Sequence, residues 1–507
     1  MATDVLLCNP YFIKDDPVTR RAMDIYPLLG HGYLASYLEA NGYGVETFDA
    51  TFDSDIRPYL AALDATKPRI VGIYGHVISR RHAFEFARVA RERGYFVVGG
   101  GPDATGYYRD YLDAGFDLVV RSEGEETARD MLEWDRAGRD PGALRKIPGI
   151  AYRSGGGQAI AHDLRPFIVD VDSLPFPRRD AHIYNRYVDA WQRRHGYVSM
   201  AIFGARGCPY DCAFCYRPVF GRNYRRRSPR SIVTEIEECV DRFGATNFRF
   251  VDDTFVVSKP WVHELSHLIS ERGLRVSFDV LARTNLMTED VAQDLKRMGV
   301  RRVYYGMESG SDAVLTRMSK RLRVEDSLRA AEITHRHGME FLSWVMLGYP
   351  GEDKADIYRT RDLVAEAKPD ILSISVAFPI RGTAFHDEVK DRISRRRPFW
   401  RRTGENRMVW QGRYPDLFYA FARRWLYKEA QLARRAHRRW TRPGHVVLRT
   451  GYRLGMEALS VGWGRKAAWA TGPATGKHEP GPAFSHRVSA PAQDNLSNRT
   501  HGGNSYG

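Results

Sequence analysis

The chain has 507 residues, which is enough for two or three domains. Its hydrophobic content of 43% and aromatic content of 12% are those of an ordinary globular protein and exclude a chain that is disordered throughout. No apolar run approaches the roughly 20 residues that a membrane helix needs. The N-terminus lacks a charged segment followed by a long apolar one, so no secretory signal is predicted and we expect a cytoplasmic protein.

The net charge is +15, and much of the positive excess lies late in the chain. A basic surface can bind nucleic acid or acidic lipid, but no recognised nucleic-acid motif accompanies this charge. We therefore predict a solvated basic surface, no nucleic-acid partner and no membrane span. The arginines concerned are Arg395, Arg396, Arg397, Arg401, Arg402, Arg423, Arg424, Arg434, Arg435, Arg438 and Arg439.

Residues 1–140 alternate short apolar runs with amphipathic segments. The alternation predicts an α/β domain with a doubly wound parallel sheet, whose ligands would bind beyond the carboxyl ends of the strands. The apolar runs are Val5–Leu7, Val45–Phe48, Ile70–Ile73, Phe96–Val98 and Leu118–Val120. Glycine in several of the following loops would let a ligand approach the backbone. These loops are Asn9-Pro10-Tyr11, Tyr74-Gly75-His76, Gly99-Gly100-Gly101-Pro102 and Ser122-Glu123-Gly124-Glu125.

Residues 141–195 change character. Two short runs, 150–153 and 159–162, flank Ser154-Gly155-Gly156-Gly157, which predicts a hairpin. The prolines of Leu174-Pro175-Phe176-Pro177 break regular structure. We interpret this stretch as a linker that contains a hairpin.

Residues 196–395 resume the alternation with six apolar runs. Six βα units of this length predict a partial (β/α)6 TIM-type barrel, with the active groups at the C-terminal ends of its strands. The runs are Ser199–Phe203, Asn247–Val251, Val276–Val280, Arg302–Tyr305, Phe341–Met346 and Ile371–Val376. Residues 396–465 are predicted to be helical, above all 417–439. Residues 466–507 are rich in Gly, Pro, Ser, Asn and His and are predicted to be disordered.

Three of the five cysteines, Cys208, Cys212 and Cys215, lie within eight residues after the first barrel strand. Such clustering indicates metal binding or catalysis rather than a disulfide framework. Three thiolates on one loop can hold three corners of a cubane cluster and leave one iron open. Electron-transfer ferredoxins close all four corners with other spacings, and structural zinc sites use tight pairs. Cys239 borders an apolar helical stripe and Cys8 follows a strand, so both are interpreted as packing residues.

The spacing C-x-x-x-C-x-x-C, with the aromatic Phe214 before the last cysteine, resembles the radical S-adenosylmethionine (SAM) superfamily. The resemblance implies a 4Fe–4S cluster on the three cysteines and SAM on its open iron. Asp252 and Asp253 end the second strand, where the superfamily holds the amino group of SAM, and an anionic acceptor suits an ammonium. A carboxylate that caps the next helix, or a magnesium site, stays open as an alternative for this pair.

Later positions repeat the order of the superfamily motifs. Arg283 follows the third strand and Glu308 the fourth, and both resemble contacts to the ribose and carboxylate of SAM. Gly348 and Gly351 belong to a Gly-Tyr-Pro-Gly-Glu run that resembles the superfamily's Gly-x-Pro-Gly-Glu turn. For each position the alternative is ordinary turn chemistry.

The segment Pro27–Ala35 resembles the opening helix of cobalamin-binding domains joined to radical SAM enzymes, and the loops around Gly100 and Glu123 match as well. The Asp-x-His-x-x-Gly motif, whose histidine ligates cobalt, is not found, and His76 lacks its surroundings. Cobalamin would therefore bind without a histidine ligand, unless the domain is degenerate and binds nothing. The contacts implied are Asn9, Pro10, Leu29, Gly30, Tyr74, Gly100, Gly101, Glu123 and Glu125.

The resemblance implies that a low-potential donor of the flavodoxin or ferredoxin type reduces the cluster. SAM is then cleaved to methionine and a 5′-deoxyadenosyl radical, which removes hydrogen from an unactivated carbon of a small-molecule substrate. With methylcobalamin on the front domain, C-methylation is the first expectation.

The alternatives are oxidative ring formation or another rearrangement, as in the magnesium-porphyrin cyclase branch, and, from a different class, a non-catalytic iron–sulfur or nucleic-acid-binding protein. A methylthiotransferase is disfavoured because the front domain has only Cys8. The sequence does not identify the substrate. Tyr216, Phe220, Trp344 and Phe378 could line its pocket or belong to the core.

Overall fold

The computed structural model describes residues 3–394, 408–435 and 443–461. All of them belong to one compact unit, residues 1–467. Its N-terminal half is built on a seven-stranded sheet with the strand order β2-β1-β3-β4-β5-β6-β7. The strands are β1 (Val5–Asn9), β2 (Val45–Asp49), β3 (Ile70–Tyr74), β4 (Phe96–Gly100), β5 (Leu118–Val120), β6 (Ile150–Arg153) and β7 (Ala159–Ala161).

Strands β1 to β5 pair in parallel, which confirms the predicted doubly wound sheet. All five residues of β1 are buried, as expected of a central strand with helices on both faces. The helices of this half are α1 (Pro17–Ala22), α2 (Leu29–Ala40), α3 (Arg57–Thr66), α4 (Arg80–Glu92), α5 (Pro102–Gly106), α6 (Tyr108–Asp113), α7 (Glu125–Arg136) and α8 (Pro141–Leu144).

The predicted hairpin forms, but it extends the front sheet instead of lying in a free linker. Strand β6 pairs antiparallel with β5, with Leu118 opposite Tyr152, and β7 pairs antiparallel with β6. The hairpin thereby covers the unpaired backbone groups that β5 would otherwise present at the edge of the sheet.

A 15-residue helix, α9 (Ala181–His195), occupies the end of the predicted linker, and the sequence analysis missed it. Tyr184, Tyr187 and Trp191 recur at helical spacing and are buried. Gly196 ends the helix in the left-handed conformation with φ +77°. The helical spacing of the aromatic residues and the glycine at the end of the helix are both visible in the sequence. The prolines just before the helix nevertheless led to the interpretation of this stretch as a linker.

The second half contains the predicted partial barrel. Its sheet has the order β15-β14-β13-β12-β11-β8, and all neighbouring strands are parallel. The strands are β8 (Ser199–Ile202), β11 (Asn247–Phe250), β12 (Ser277–Ala282), β13 (Val300–Glu308), β14 (Glu340–Leu347) and β15 (Ile371–Val376), and a separate ribbon joins β9 (Ala205–Arg206) to β10 (Arg225–Arg226). The helices are α10 (Pro229–Phe243), α11 (Lys259–Glu271), α12 (Glu289–Arg297), α13 (Asp312–Arg317), α14 (Val324–Arg336), α15 (Lys354–Ala367) and α16 (Ala384–Val389).

Two C-terminal helices, α17 (Asp416–Arg435) and α18 (Pro443–Val461), pack against each other, and α17 also packs on α15. Trp425 of α17 is fully buried in the barrel core. The predicted disordered tail, 466–507, lies outside the described residues, as do Arg395–Arg402 and Arg438–Arg439. Within the described ranges, no helix is both long and apolar enough to span a bilayer.

Candidate cofactor site

The three clustered cysteines lie on a loop that is fixed to the barrel on two sides. The backbone N–H of Ala213 donates to the carbonyl of Met318 at 2.8 Å, and the carbonyl of Ala213 accepts from the N–H of Phe385 at 3.0 Å. Cys208 and Cys212 are buried and Cys215 is partly buried. All three thiols are free. The loop therefore holds three thiols close to the C-terminal ends of the barrel strands.

This loop fits a cluster better than a single metal ion. Across residues 3–394, 408–435 and 443–461, no three His, Cys, Asp or Glu side chains converge as one metal ion would require. A cubane cluster has no such requirement, because each thiolate binds a different iron atom. The arrangement disfavours a structural zinc site at these cysteines.

Arg283 lies directly beside this loop. Its guanidinium donates to Sγ of Cys212 at 3.7 Å and to the carbonyl of Lys320, and it lies 3.8 Å from the ring centroid of Tyr210. The predicted contact of Arg283 with SAM stays a prediction, and in the structure its guanidinium contacts the cysteine loop.

Glu308, at the end of β13, forms a buried ion pair that the sequence analysis missed. Nζ of Lys320 lies 2.9 Å from Oε1 of Glu308, and both side chains are at most 10% exposed. Glu308 has φ +62°, a conformation that non-glycine residues adopt rarely and that concentrates at functional sites. A Cβ on Gly306 would collide with both charged groups, so a larger residue there would displace the ion pair. No motif pointed to Lys320.

The two neighbouring aspartates have different environments. Oδ1 of Asp252 accepts the backbone N–H of Gly204 at 2.7 Å, its Oδ2 has no partner among the described residues, and burial raises its pKa to about 7. Asp253 is exposed and lines the cavity described below, beside Arg217. Although Asp253 is accessible from the cavity, desolvation of its carboxyl by the surrounding wall raises its pKa, and the nearby Arg217 opposes this effect. Of the two, Asp253 is the carboxylate that a cofactor can reach.

Gly348 and Gly351 form the turn that follows β14. Both have positive φ values, +80° and +81°, which explains the glycines by turn geometry alone. Glu352 closes the turn by accepting the N–H of Gly348, and burial raises the pKa of Glu352 to about 8. Phe214 packs against the barrel core, with Nζ of Lys320 5.6 Å from its ring centroid.

A cavity of about 360 Å³ opens beyond the carboxyl ends of the front strands. Six of the predicted cobalamin contacts line it, namely Gly30, Tyr74, Gly100, Gly101, Glu123 and Glu125. The cavity continues as an apolar slot between the sheet and the helices α2 and α7, lined by Leu34, Leu38, Ala128, Met131 and Leu132. The barrel half contributes Phe203, Arg206, Tyr216, Phe220 and Asp253 to the same cavity. Both halves therefore share one space.

Three of the predicted contacts do not line this cavity. Asn9 is buried, and its amide donates to Asp49 at 3.0 Å and to Thr51 at 3.3 Å. The neighbouring Pro10 is buried too. Leu29 packs in a small core, and its neighbours in sequence line the cavity instead. In the structure these three residues pack or hydrogen-bond with other residues and do not line the cavity.

The carboxylates of Glu123 and Glu125 join the two halves of the protein. Arg206 of β9 lies 3.0 Å from Glu123 and 2.6 Å from Glu125, and Arg225 of β10 lies 2.8 Å from Glu123. All four side chains are less than 10% exposed. The glutamates therefore line the cavity as an ion-paired wall.

Two histidines lie near the cavity. His31 lines it, its ring meets that of Tyr74 edge-on at 5.7 Å, and burial lowers its pKa to about 4, so the imidazole is neutral. Nδ1 of His76 accepts the N–H of Ile78 at 3.3 Å. The sequence pointed to His76 as a loop histidine and assigned no role to the side chain of His31.

Comparison with known proteins assigns both halves. Residues 202–364 match the Radical SAM superfamily, and residues 17–132 match the B12 binding domain. The chain is 29% identical over 368 residues to an uncharacterised methyltransferase of Pyrococcus horikoshii, covering 70% of this chain and 77% of that protein. It is 25% identical over 369 residues to the anaerobic magnesium-protoporphyrin IX monomethyl ester cyclase of Rubrivivax gelatinosus, covering 71% of this chain and 66% of the cyclase.

The fold has a solved counterpart. The radical SAM methyltransferase TsrM from Kitasatospora setae, with cobalamin and a 4Fe–4S cluster bound, superposes with a TM-score of 0.66 at 21% identity. The superposition covers 77% of this chain and 78% of TsrM. With the cysteine loop at the barrel and the cavity at the front sheet, these matches lead to one conclusion: the chain belongs to the radical SAM enzymes that carry a cobalamin-binding domain.

Proposed function

We propose that this enzyme methylates an unactivated carbon of a small molecule in a reaction that depends on SAM and cobalamin. One observation carries the proposal. The front-sheet cavity has a wall made by the barrel, and that wall includes Asp253 and Tyr216, the residue next to Cys215. A methyl donor in the cavity and a radical source at the cysteine loop would therefore lie on either side of a shared space.

The residues on each side suit these groups. Cys208, Cys212 and Cys215 would hold the cluster, while Asp253 and the ion pair of Glu308 with Lys320 offer both charges to the amino and carboxylate groups of SAM. When bound, the cluster and SAM supply the radical and cobalamin supplies the methyl group. The protein's part is to position these groups and keep water from them.

The glycines of the cavity support cobalamin binding. A Cβ built on Gly30 or Gly100 would meet nothing within 4 Å, and neither residue has a left-handed φ. The fold itself therefore does not require glycine at these positions. The open space would let a large planar ligand lie against the backbone, and the apolar slot beneath suits an uncharged heterocycle on that ligand.

Supply of electrons completes the proposal. A cluster of this type needs a low-potential donor, and a flavodoxin or ferredoxin would serve. Such donors and an oxygen-sensitive cluster favour a cytoplasmic location. Cyclisation or another radical rearrangement remains the second candidate because of the similarity to the cyclase of Rubrivivax gelatinosus.

The cluster is tested by two matched cysteine variants. After anaerobic reconstitution the wild type should hold about four irons per chain and produce 5′-deoxyadenosine from SAM. Cys212→Ala should lose this activity, whereas Cys239→Ala should keep it because Cys239 is fully buried in the barrel core. Production of 5′-deoxyadenosine by Cys212→Ala would overturn the cluster assignment.

The reaction type is tested by the products. Methylation should give 5′-deoxyadenosine and S-adenosylhomocysteine in about equal amounts, because one SAM is cleaved and another remethylates cobalamin. Methyl-deuterated SAM should transfer its label to a substrate carbon. A cyclase would give 5′-deoxyadenosine without matching S-adenosylhomocysteine and without label, and that result would replace methylation by the second candidate.

A further inference from the structure

The barrel sheet has an inner face that its helices do not cover. Val303, Tyr305 and Met307 of β13 pack into the core beneath the helices, so Tyr304 between them points to the opposite face. A closed eight-stranded barrel fills such an interior with layers of side chains. Here the sheet has six strands, and its edge strands β8 and β15 are not paired with each other in the part of the chain that the structure describes.

Five apolar side chains on adjacent strands of this face remain accessible, and we name them the inner apolar row. Val251 is 36% exposed, and the other members are half-buried. Leu281 lies opposite Tyr304 in the strand register, and the rings of Tyr304 and Trp344 stack at 5.6 Å with an interplanar angle of 29°. The members are Phe203, Val251, Leu281, Tyr304 and Trp344.

The front half closes the lower end of this face, where the strands begin. Asp24 lies 2.7 Å from Arg249, whose guanidinium lies 4.5 Å from the ring centroid of Tyr304. The hydroxyl of Tyr26 is 3.0 Å from that of Ser199. The inner apolar row therefore lines a cup with a floor at the strand N-termini and an opening at their C-termini.

The charged side chains around the floor are paired with each other. Arg301 binds Asp279 at 2.8 Å, and Arg302 binds Glu340. Together with the pair of Arg249 and Asp24, these contacts give each of the three arginines at the floor a carboxylate partner. A substrate anion lying on the row would thus compete with existing ion pairs and lose its hydration.

The upper end of the face joins both cofactor sites. Phe203 also lines the front-sheet cavity. Arg283, which follows β12 and lies two residues after Leu281, donates to Sγ of Cys212 in the cysteine loop. A molecule resting on the inner apolar row would therefore extend toward the space that the two cofactors share.

We propose that the inner apolar row is the substrate platform, and that the substrate presents an uncharged planar ring system to Tyr304 and Trp344. The inference deepens the proposed function and rests on it, since it takes the carbon that reacts to lie between the two cofactors. Arg249 and Trp344 both lie over the ring of Tyr304, so a partner would meet Tyr304 at its edge and stack on the remaining face of Trp344, which favours a flat ring. We infer that the ring system is uncharged because the charged side chains at the floor are already paired with each other.

The test is equilibrium dialysis of three probes against the reconstituted holoenzyme under anaerobic conditions. The three probes have similar sizes: 2-naphthol, its saturated analogue decahydro-2-naphthol and the anion 2-naphthoate. We expect 2-naphthol to bind about tenfold more tightly than either of the others. Equal or tighter binding of 2-naphthoate, or equal binding of the saturated analogue, would overturn the proposal.

Two variants locate the binding. Trp344→Ala should weaken 2-naphthol binding about tenfold, while Trp344→Phe keeps a planar ring and should stay close to the wild type. Iron content and retained cobalamin, measured on each variant, verify that the protein is folded and loaded. If Trp344→Ala binds 2-naphthol like the wild type, the platform lies elsewhere. Because no turnover is needed, this outcome is independent of whether the enzyme methylates or cyclises.

Discussion

Gly100 offers a way to block the cavity without disturbing the fold. It is the last residue of β4, its φ is not left-handed, and a Cβ there would meet nothing within 4 Å. Alanine or valine should therefore be accommodated by the protein alone. The apo protein should unfold at the same free energy or at one about 0.5 kcal/mol higher, because the unfolded chain loses conformational freedom.

The added side-chain carbons of alanine or valine should weaken the binding of cobalamin. Valine adds three carbon atoms to the wall of a cavity of about 360 Å³. Forcing such a group into a filled site costs about 1–3 kcal/mol, which corresponds to a dissociation constant about 5- to 150-fold higher. Gly100→Ala should fall between the wild type and Gly100→Val.

The assay is anaerobic ultrafiltration with cobalamin, read by absorbance, together with thermal unfolding of the apo protein. Gly155→Ala is the matched control, because Gly155 also has open space around its Cα but lies in the turn of the hairpin, away from the cavity. Wild-type affinity in Gly100→Val would show that cobalamin does not lie against this strand. A lower unfolding temperature of the apo variant would show that the fold itself needs the space.

Three further predictions concern buried charges. Burial raises the pKa of Glu352 to about 8, so the stability that its protonated form contributes is full below pH 4 and is lost as the pH rises through 8. Glu352→Gln should therefore gain about 4 kcal/mol over the wild type between pH 5 and pH 9, and a constant difference in urea unfolding would contradict this. Arg206→Met leaves the carboxylate of Glu123 with one arginine fewer and should lower the free energy of unfolding by about 3–5 kcal/mol. A loss well under about 1 kcal/mol would contradict the assignment of these residues to a buried ion-pair network. Lys320→Met should weaken SAM binding about tenfold at unchanged iron content, whereas unchanged SAM affinity would make its pair with Glu308 purely structural.

The sequence predicted the strands of both sheets because burial on two faces produces continuous apolar runs such as Val5–Leu7. It also placed the cysteines, since a loop of eight residues fixes their proximity by covalent connection alone. The ion pairs between Arg206 and the two glutamates could not be predicted. Their partners are 83 and 81 positions apart, and no periodicity links a charge in one half to a charge in the other.

The predicted contacts that lie outside the cavity have a common origin. Asn9 follows the end of a strand, as a ligand contact would, but its amide is taken by Asp49 and Thr51. Loop position shows which end of a sheet a residue occupies, but the direction of its side chain depends on neighbours brought in by other strands. The inner apolar row could not be predicted for the same reason, because the sequence does not show whether the side chain of Trp344 lies in a pocket or in the core.

Tyr216 makes the two halves of this enzyme hard to exchange. Its hydroxyl donates to the carbonyl of Pro102 at 3.2 Å, and a Cβ on Gly106 would coincide with that hydroxyl. A chimera that pairs this barrel with a front half from a relative therefore needs glycine opposite the residue that follows the last cysteine of the cluster loop. Any larger side chain there would force the ring of Tyr216 to move and break its hydrogen bond to Pro102. Recombination between such enzymes is thus constrained by a single side chain as well as by the junction where the chains are cut.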